Sequence, residues 1–191
     1  MMIKTVAKLA SIAMLAVSAL SAQALGVSND IALIGLPSGI LGAGLSDPSG
    51  TAVNHTLSGA FTDTFTFAYS GSAIVDVGLE TSVVMNRLAT QQIVFSSATL
   101  NGMALTIDPS FLAGSTRFTF AGLYQAPATG SFTLIVSGYA GLEGSLGQAI
   151  SASYSGSINV EPTAVPEPES YALMLGGLVA VGFMARRRTM S

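Results

Sequence analysis

The sequence predicts an all-β body, an antiparallel β-sandwich of jelly-roll-like type, between two apolar terminal segments. Apolar and polar residues alternate with a period of two in the middle of the chain, turn residues separate these runs, and the longest apolar runs lie at the ends. The 191 residues leave room for one such domain. The absence of Cys excludes a disulfide framework, and the 7 basic residues are too few for a nucleic-acid-binding face.

The N-terminal residues 1–24 predict a secretory signal peptide. Lysines precede the apolar residues 9–20, and Ala22 and Ala24 supply the small residues that a signal peptidase accepts beside its cut. As a helix this apolar run is about 18 Å long, which is short for a bilayer span. We therefore predict cleavage after Ala24 rather than an uncleaved N-terminal anchor.

Residues 25–160 form the predicted β-sandwich domain. Asn101-Gly102 is a strong signal for a two-residue hairpin, and further reversals are expected at Asp108-Pro109 and over residues 127–130. Residues 31–45 are Gly-rich without clear alternation, and residues 83–90 fit either a strand or a short helical turn. The strand-like runs are residues 61–67, 73–79, 91–100, 103–107, 117–120, 131–139 and 149–160.

The clearest strand in this body covers residues 61–67, where Phe61, Asp63 and Phe65 form an F-x-D-x-F motif. Phenylalanines at alternate positions predict a core-facing row of rings. We interpret Asp63 as lying on the opposite face, where it caps a turn or stays solvated.

The predicted body offers little for catalysis. It contains His55 but no Lys or Cys, and the sequence has no G-x-S-x-G element. One His cannot build a conventional zinc site, so we interpret His55 as an isolated surface histidine. Eight acidic residues and two arginines give residues 25–165 a net charge of −6. We predict that the protein is not an enzyme and has no catalytic residue, cofactor or metal site.

Two functional alternatives stay open for this body. The first is a carbohydrate-binding module, with sugars near Tyr69, Tyr124, Tyr139 and Tyr154, although the chain has no Trp as a stacking platform. The second is a hydrolase built from a carboxylate pair, whose spatial pairing a sequence does not reveal.

The C-terminal segment combines three features in order. Residues 161–170 form a Pro/Glu linker that contains Pro166-Glu167-Pro168, and its two prolines favour an extended backbone. Residues 171–185 predict a transmembrane helix of about 22 Å, short for a hydrocarbon core of about 30 Å. The basic residues Arg186, Arg187 and Arg188 open a predicted cytoplasmic tail over residues 186–191.

This arrangement resembles the PEP-CTERM sorting signal of Gram-negative bacteria. The resemblance implies that exosortase, a membrane-embedded cysteine peptidase, recognises Pro166-Glu167-Pro168 and severs the tail. The Phe61-x-Asp63-x-Phe65 segment is similar to the motif for which the FxDxF family of PEP-CTERM proteins is named. That family implies a noncatalytic β-rich body of unassigned molecular function, associated with exopolysaccharide in biofilm or floc matrices.

The sequence thus predicts a protein that is exported through signal peptidase, held transiently at the inner membrane, and released to the cell surface or extracellular matrix. Signal peptidase and exosortase are its expected processing partners. Exopolysaccharide is its expected extracellular partner, and no nucleic acid is expected. The remaining alternative to sorting is a β-domain that stays tethered in the periplasm by its C-terminal segment.

Overall fold

A computed structural model of the protein describes residues 26–50, 52–163 and 168–188. The predicted signal peptide, with Ala22 and Ala24, lies outside these ranges, as do Pro166 and Glu167. The β-rich prediction is confirmed, because strands dominate the described residues and form two sheets. In chain order the strands are β1 (Ser28–Ile31), β2 (Ile34–Gly35), β3 (Leu41–Gly44), β4 (Val53–Leu57), β5 (Gly59–Phe67), β6 (Ser72–Val84), β7 (Ile93–Leu100), β8 (Met103–Ala104), β9 (Thr106–Ala113), β10 (Thr116–Thr129), β11 (Phe132–Ala140) and β12 (Ala149–Pro162).

The two sheets differ in size and in the order of their strands. The five-stranded sheet has the order β1-β5-β11-β7-β8. The seven-stranded sheet has the order β2-β3-β12-β6-β10-β9, and β4 also pairs with the long strand β12. Most pairs of adjacent strands in the two sheets are therefore far apart in sequence. The fold depends on long-range strand pairing.

Strand pairing is antiparallel at every described ladder except one. The exception is β1, which runs parallel to β5 with Ser28 opposite Thr64. The expectation of a purely antiparallel body is therefore wrong at this edge. The reason is local: the backbone N–H of Thr64 donates to the carbonyl of Val27 at 2.8 Å, which fixes the incoming chain beside β5.

Among the described residues, buried side chains from both sheets form a hydrophobic core. The residues of β5 alternate between buried and more exposed positions: Phe61, Phe65 and Phe67 are buried, and the intervening threonines are more exposed. Val75 and Val77 from β6 belong to the same buried cluster. The period of two seen in the sequence is thus the signature of strands with one face in this core.

Several element boundaries differ from the sequence prediction. Residues 31–45 contain the short strands β2 and β3, and residues 83–90 include a 3-10 helix at Met85–Arg87 and the start of helix α1, Leu88–Gln91. The hairpin signal at Asn101-Gly102 is confirmed by a turn with Asn101 at φ 48°. The expected reversal at Asp108-Pro109 is wrong, because both residues lie inside β9, at the exposed edge of the sheet where Pro is tolerated.

The C-terminal segment forms helix α2, Pro168–Arg188. The sequence predicted a helix over residues 171–185, and the structure extends it at both ends. Among the residues that the structure describes, no helix combines the length and the apolarity that a membrane crossing requires.

Candidate functional site

The aspartate of the F-x-D-x-F motif lies in the core, not on the outer face as predicted from the sequence. Its side chain is 0% exposed. Phe61, Asp63 and Phe65 are separated by two residues each, so a regular strand directs all three side chains to the same face. The prediction of an outer position is therefore wrong, because alternation with a period of two places Asp63 on the same face as the phenylalanines on either side of it.

Three donors converge on the Asp63 carboxylate. The hydroxyl of Tyr154 donates to Oδ2 at 2.6 Å, and Nε2 of His55 lies 3.1 Å from the same oxygen. The backbone N–H of Val27 donates to Oδ1 at 2.6 Å. Both carboxylate oxygens therefore have partners, which is the condition under which a buried carboxylate is tolerated.

His55 is buried, so its interpretation as an isolated surface histidine is wrong. Its position on β4 places its side chain on the inward face, and its ring stacks on that of Phe61 with centroids 4.1 Å apart. A proton on Nε2 allows the ring to donate to Asp63. Nδ1 is then buried without a hydrogen-bond partner among the described residues.

Tyr154 closes the cluster from the opposite sheet. It is only 2% exposed, and its ring packs edge-on against Phe95 with centroids 5.4 Å apart. Burial, the negative charge of Asp63 and the hydrogen bond to that carboxylate raise the pKa of Tyr154 well above its usual value. Tyr154 is therefore held as a neutral hydrogen-bond donor and is not available to stack on a sugar.

The cluster joins parts of the fold that are distant in sequence. Asp63 comes from the five-stranded sheet, His55 and Tyr154 come from the seven-stranded sheet, and Val27 comes from the chain that leads into β1. All three side chains are buried, so a substrate would have to open the core to reach them. The arrangement is suited to fastening the two sheets and the incoming chain together.

The other tyrosines of the carbohydrate alternative are scattered over the molecule. Tyr69 is half-buried and stacks on Phe132 with centroids 5.2 Å apart, and the hydroxyl of half-buried Tyr139 donates to the Ser145 carbonyl at 3.0 Å. Tyr124 differs from them because it is 76% exposed. Within the described ranges, no three His, Asp or Glu side chains are arranged to hold a metal ion.

The structure places only part of the predicted sorting segment. Pro166 and Glu167 lie outside the described residues, whereas Pro168 is the first residue of α2, a position that suits a residue without a backbone N–H. Arg186, Arg187 and Arg188 are the last three residues of α2.

A family model described as the PEP-CTERM protein-sorting motif matches residues 164–188. The C-terminal segment is a PEP-CTERM sorting motif. The matched range contains the Pro166-Glu167-Pro168 element, the whole of α2 and the three arginines. No curated protein and no solved structure matches the chain.

The PEP-CTERM motif implies export, membrane-associated sorting in a Gram-negative bacterium, and processing by an exosortase. It occupies only the C-terminal end of the chain, so it assigns no role to the β body. The partners of Asp63 in that body were missed by sequence reasoning, because His55 and Tyr154 lie 8 and 91 residues away from it. The signal for its burial that the sequence contains is spacing, because Asp63 lies two residues from each of the phenylalanines on either side of it.

Proposed function

We propose that this chain is a noncatalytic PEP-CTERM protein that an exosortase releases to the cell surface or the extracellular matrix, where it associates with exopolysaccharide. The match of residues 164–188 to the sorting motif carries this proposal. Signal peptidase removes residues 1–24, the chain resides transiently at the inner membrane, and exosortase then acts near Pro166-Glu167-Pro168. The body is proposed to belong to the FxDxF group and to have a jelly-roll-like sandwich arrangement.

The composition of the body supports a role in a hydrated matrix. Its net charge of −6 and its Ser- and Thr-rich strands favour solubility outside the cell. Its buried His55, Asp63 and Tyr154 are engaged with one another, which favours a structural role for the most reactive side chains of the core. A core fastened by such contacts suits a protein that has no disulfide to stabilise it outside the cell.

Mass spectrometry of both ends of the mature protein tests the sorting proposal. We expect an N-terminus at Leu25 and a C-terminus close to Pro166-Glu167-Pro168 in a host with exosortase, and an intact C-terminus in the same host without it. Extracellular protein that retains Arg186 to Arg188 in the exosortase-positive host would contradict the proposal.

A carbohydrate-binding role for the body is the second candidate. It is favoured by one observation, a group of aromatic side chains on the outer face of the seven-stranded sheet, with Phe111 51% exposed and Tyr124 76% exposed. Exposed aromatic groups on a soluble domain commonly mark a binding surface.

A further inference from the structure

A row of aromatic side chains crosses the outer face of β9 and β10. Phe111 stacks on Phe118 with ring centroids 5.5 Å apart and on Phe120 with centroids 5.8 Å apart. The rings of Phe118 and Phe120 are nearly parallel, with an interplanar angle of 2°. The row faces away from the core, because the inward positions of this part of β10 are Thr119 and Ala121. The rings therefore form an ordered apolar platform on the surface.

A β-bulge adds Tyr124 to this platform. The register between β10 and β6 shifts between Leu123 and Ala126, and Gln125 adopts φ 52°, a conformation uncommon for a residue other than glycine. The Asp76 carboxylate stabilises the bulge by accepting the backbone N–H of Gln125 at 2.6 Å. A bulge of this kind re-aims a side chain, and here it places the ring of Tyr124 over Gly122.

The strand register places a carboxylate on each side of the central ring. Phe120 pairs with Glu80 on one neighbouring strand and with Asp108 on the other. Paired residues lie about 5 Å apart across a sheet, so both carboxylates flank the Phe120 ring on the same outer face. Ser155 donates to Oε1 of Glu80 at 3.1 Å, which orients that carboxylate.

Phe120, Tyr124, Glu80 and Asp108 line an open groove of about 530 Å³. Phe111 and Phe118 are not part of its lining but stack with Phe120 and extend the apolar surface along β9 and β10. Gly78, which has no side chain, lines the groove together with Phe120 and Tyr124, and Ser157 adds a hydroxyl to the lining. No Lys or Arg is among the described residues that line the groove, so Glu80 and Asp108 make it negative. Its ligand should therefore combine flat apolar surface with positive charge.

We propose that this groove binds a polysaccharide whose sugars carry free amino groups. The C–H face of a pyranose packs on aromatic rings, and a protonated amino group on the same ring satisfies Glu80 or Asp108. An anionic polysaccharide would meet like charge. A second copy of this chain, paired symmetrically through the same face, would place these carboxylates against each other.

This inference rests on the proposed export to an exopolysaccharide matrix, and it names the face and the sugar chemistry. The test uses the mature protein as it is isolated from the producing cells. Its binding to three soluble probes at mildly acidic pH is measured by affinity electrophoresis and calorimetry. Chitosan oligomers carry the amino groups, cello-oligomers have the same linkage without them, and alginate oligomers are anionic. We expect chitosan to bind most tightly, and added salt to weaken that binding.

Variants of the groove separate specific binding from general attraction between a basic polymer and an acidic protein. We expect Tyr124→Ala and the pair Glu80→Gln with Asp108→Asn each to weaken chitosan binding about tenfold or more. Glu143→Gln removes an exposed charge elsewhere, and Ile135→Ala removes an exposed apolar side chain from the other sheet; both should bind as the wild type does. Circular dichroism and the thermal midpoint confirm that each variant is folded.

The inference is overturned if chitosan does not bind, if cello-oligomers or alginate bind as tightly, or if Glu143→Gln weakens binding as much as the groove variants do. A dimer that forms through this face and blocks chitosan would also overturn it. Loss of binding with a normally processed C-terminus refutes the groove alone. Normal binding by a protein that retains its C-terminal arginines refutes the sorting proposal alone.

Discussion

At the residue scale, Asp63 is the point on which the polar contacts of the core converge. Asp63→Asn keeps the shape of the side chain but turns one carboxylate oxygen into an amide group that faces donors. We expect a loss of about 2–4 kcal/mol in the free energy of unfolding, because buried donors lose a charged acceptor. Urea denaturation measures this loss, with Glu143→Gln as the exposed control. Equal stability of the two variants would show that the cluster contributes little.

Tyr154 makes the free energy of unfolding fall as the pH rises into the alkaline range. Because its pKa is raised in the folded state, its contribution is fully present below about pH 10, where an unfolded tyrosine begins to ionise, and is lost as the pH rises further. In wild-type protein we expect this residue to lower the free energy of unfolding by about 1.4 kcal/mol per pH unit above that point.

The variant Tyr154→Phe tests this assignment. It removes the hydroxyl that donates to Asp63, so we expect lower stability at neutral pH and the loss of that residue's share of the alkaline slope. Tyr124→Phe removes a hydroxyl from an exposed side chain and should keep the wild-type slope. Denaturant titrations at several pH values from 8 to 11 measure both effects. An unchanged slope in Tyr154→Phe would refute the assignment.

How far these residues could be foreseen from the sequence depends on their separation. The burial of Phe61 and Phe65 follows from local alternation and was predicted correctly. The burial of Asp63 follows from the same alternation, but a lone carboxylate among phenylalanines suggests solvent exposure until its partners are known. Those partners come from β4 and β12, and their approach to Asp63 is set by long-range pairing that a single sequence does not contain.

At the scale of elements, close packing of strands depends on one glycine in β11. A Cβ added at Gly138 would lie 2.8 Å from Cζ of Phe61 and would also clash with the backbone carbonyl of Val94. We expect Gly138→Ala to lower the free energy of unfolding by about 1–3 kcal/mol, because backbone cannot move aside as a flexible side chain does.

Gly78 in β6 offers a matched control for that substitution. It also lies inside a strand, yet an added Cβ would meet nothing within 4 Å. We expect Gly78→Ala to be neutral or slightly stabilising, since alanine restricts the unfolded chain more than glycine does. Thermal and urea unfolding of the two variants side by side give the comparison. If both alanines cost the same, the clash at Gly138 is not what limits packing there.

Element prediction succeeded where a strand and its turn are encoded next to each other. The segment from β7 through Asn101-Gly102 to β8 was found because the turn residues directly follow an alternating run. The predicted run 117–120 covers only the first part of β10, which spans 14 residues. The prediction omits residues 121–129, because the bulge at Gln125 interrupts the alternation of apolar and polar residues in that part of the strand.

At the scale of the whole molecule, the features of the body depend on tertiary contacts, whereas the features of the C-terminal segment are contained in contiguous sequence. The sorting motif was recognisable without a structure, because its parts are contiguous over residues 164–188. The β1 pairing with β5, the Asp63 cluster and the aromatic groove all depend on contacts between distant segments. Recognition by a processing enzyme requires only the contiguous sorting motif, whereas recognition of a polysaccharide by the groove requires the folded body.

The prolines of the sorting motif provide the final prediction. Replacing Pro166 and Pro168 together with Ala releases the fixed φ of each proline and the extended conformation that each proline favours in the residue before it. We expect the variant to keep Arg186 to Arg188 in an exosortase-positive host, as shown by intact-mass measurement of the recovered protein. Pro162→Ala, at the end of β12 and outside the matched range, is the control and should be processed normally. Normal processing of the double variant, or equal failure of Pro162→Ala, would mean that exosortase does not read these prolines.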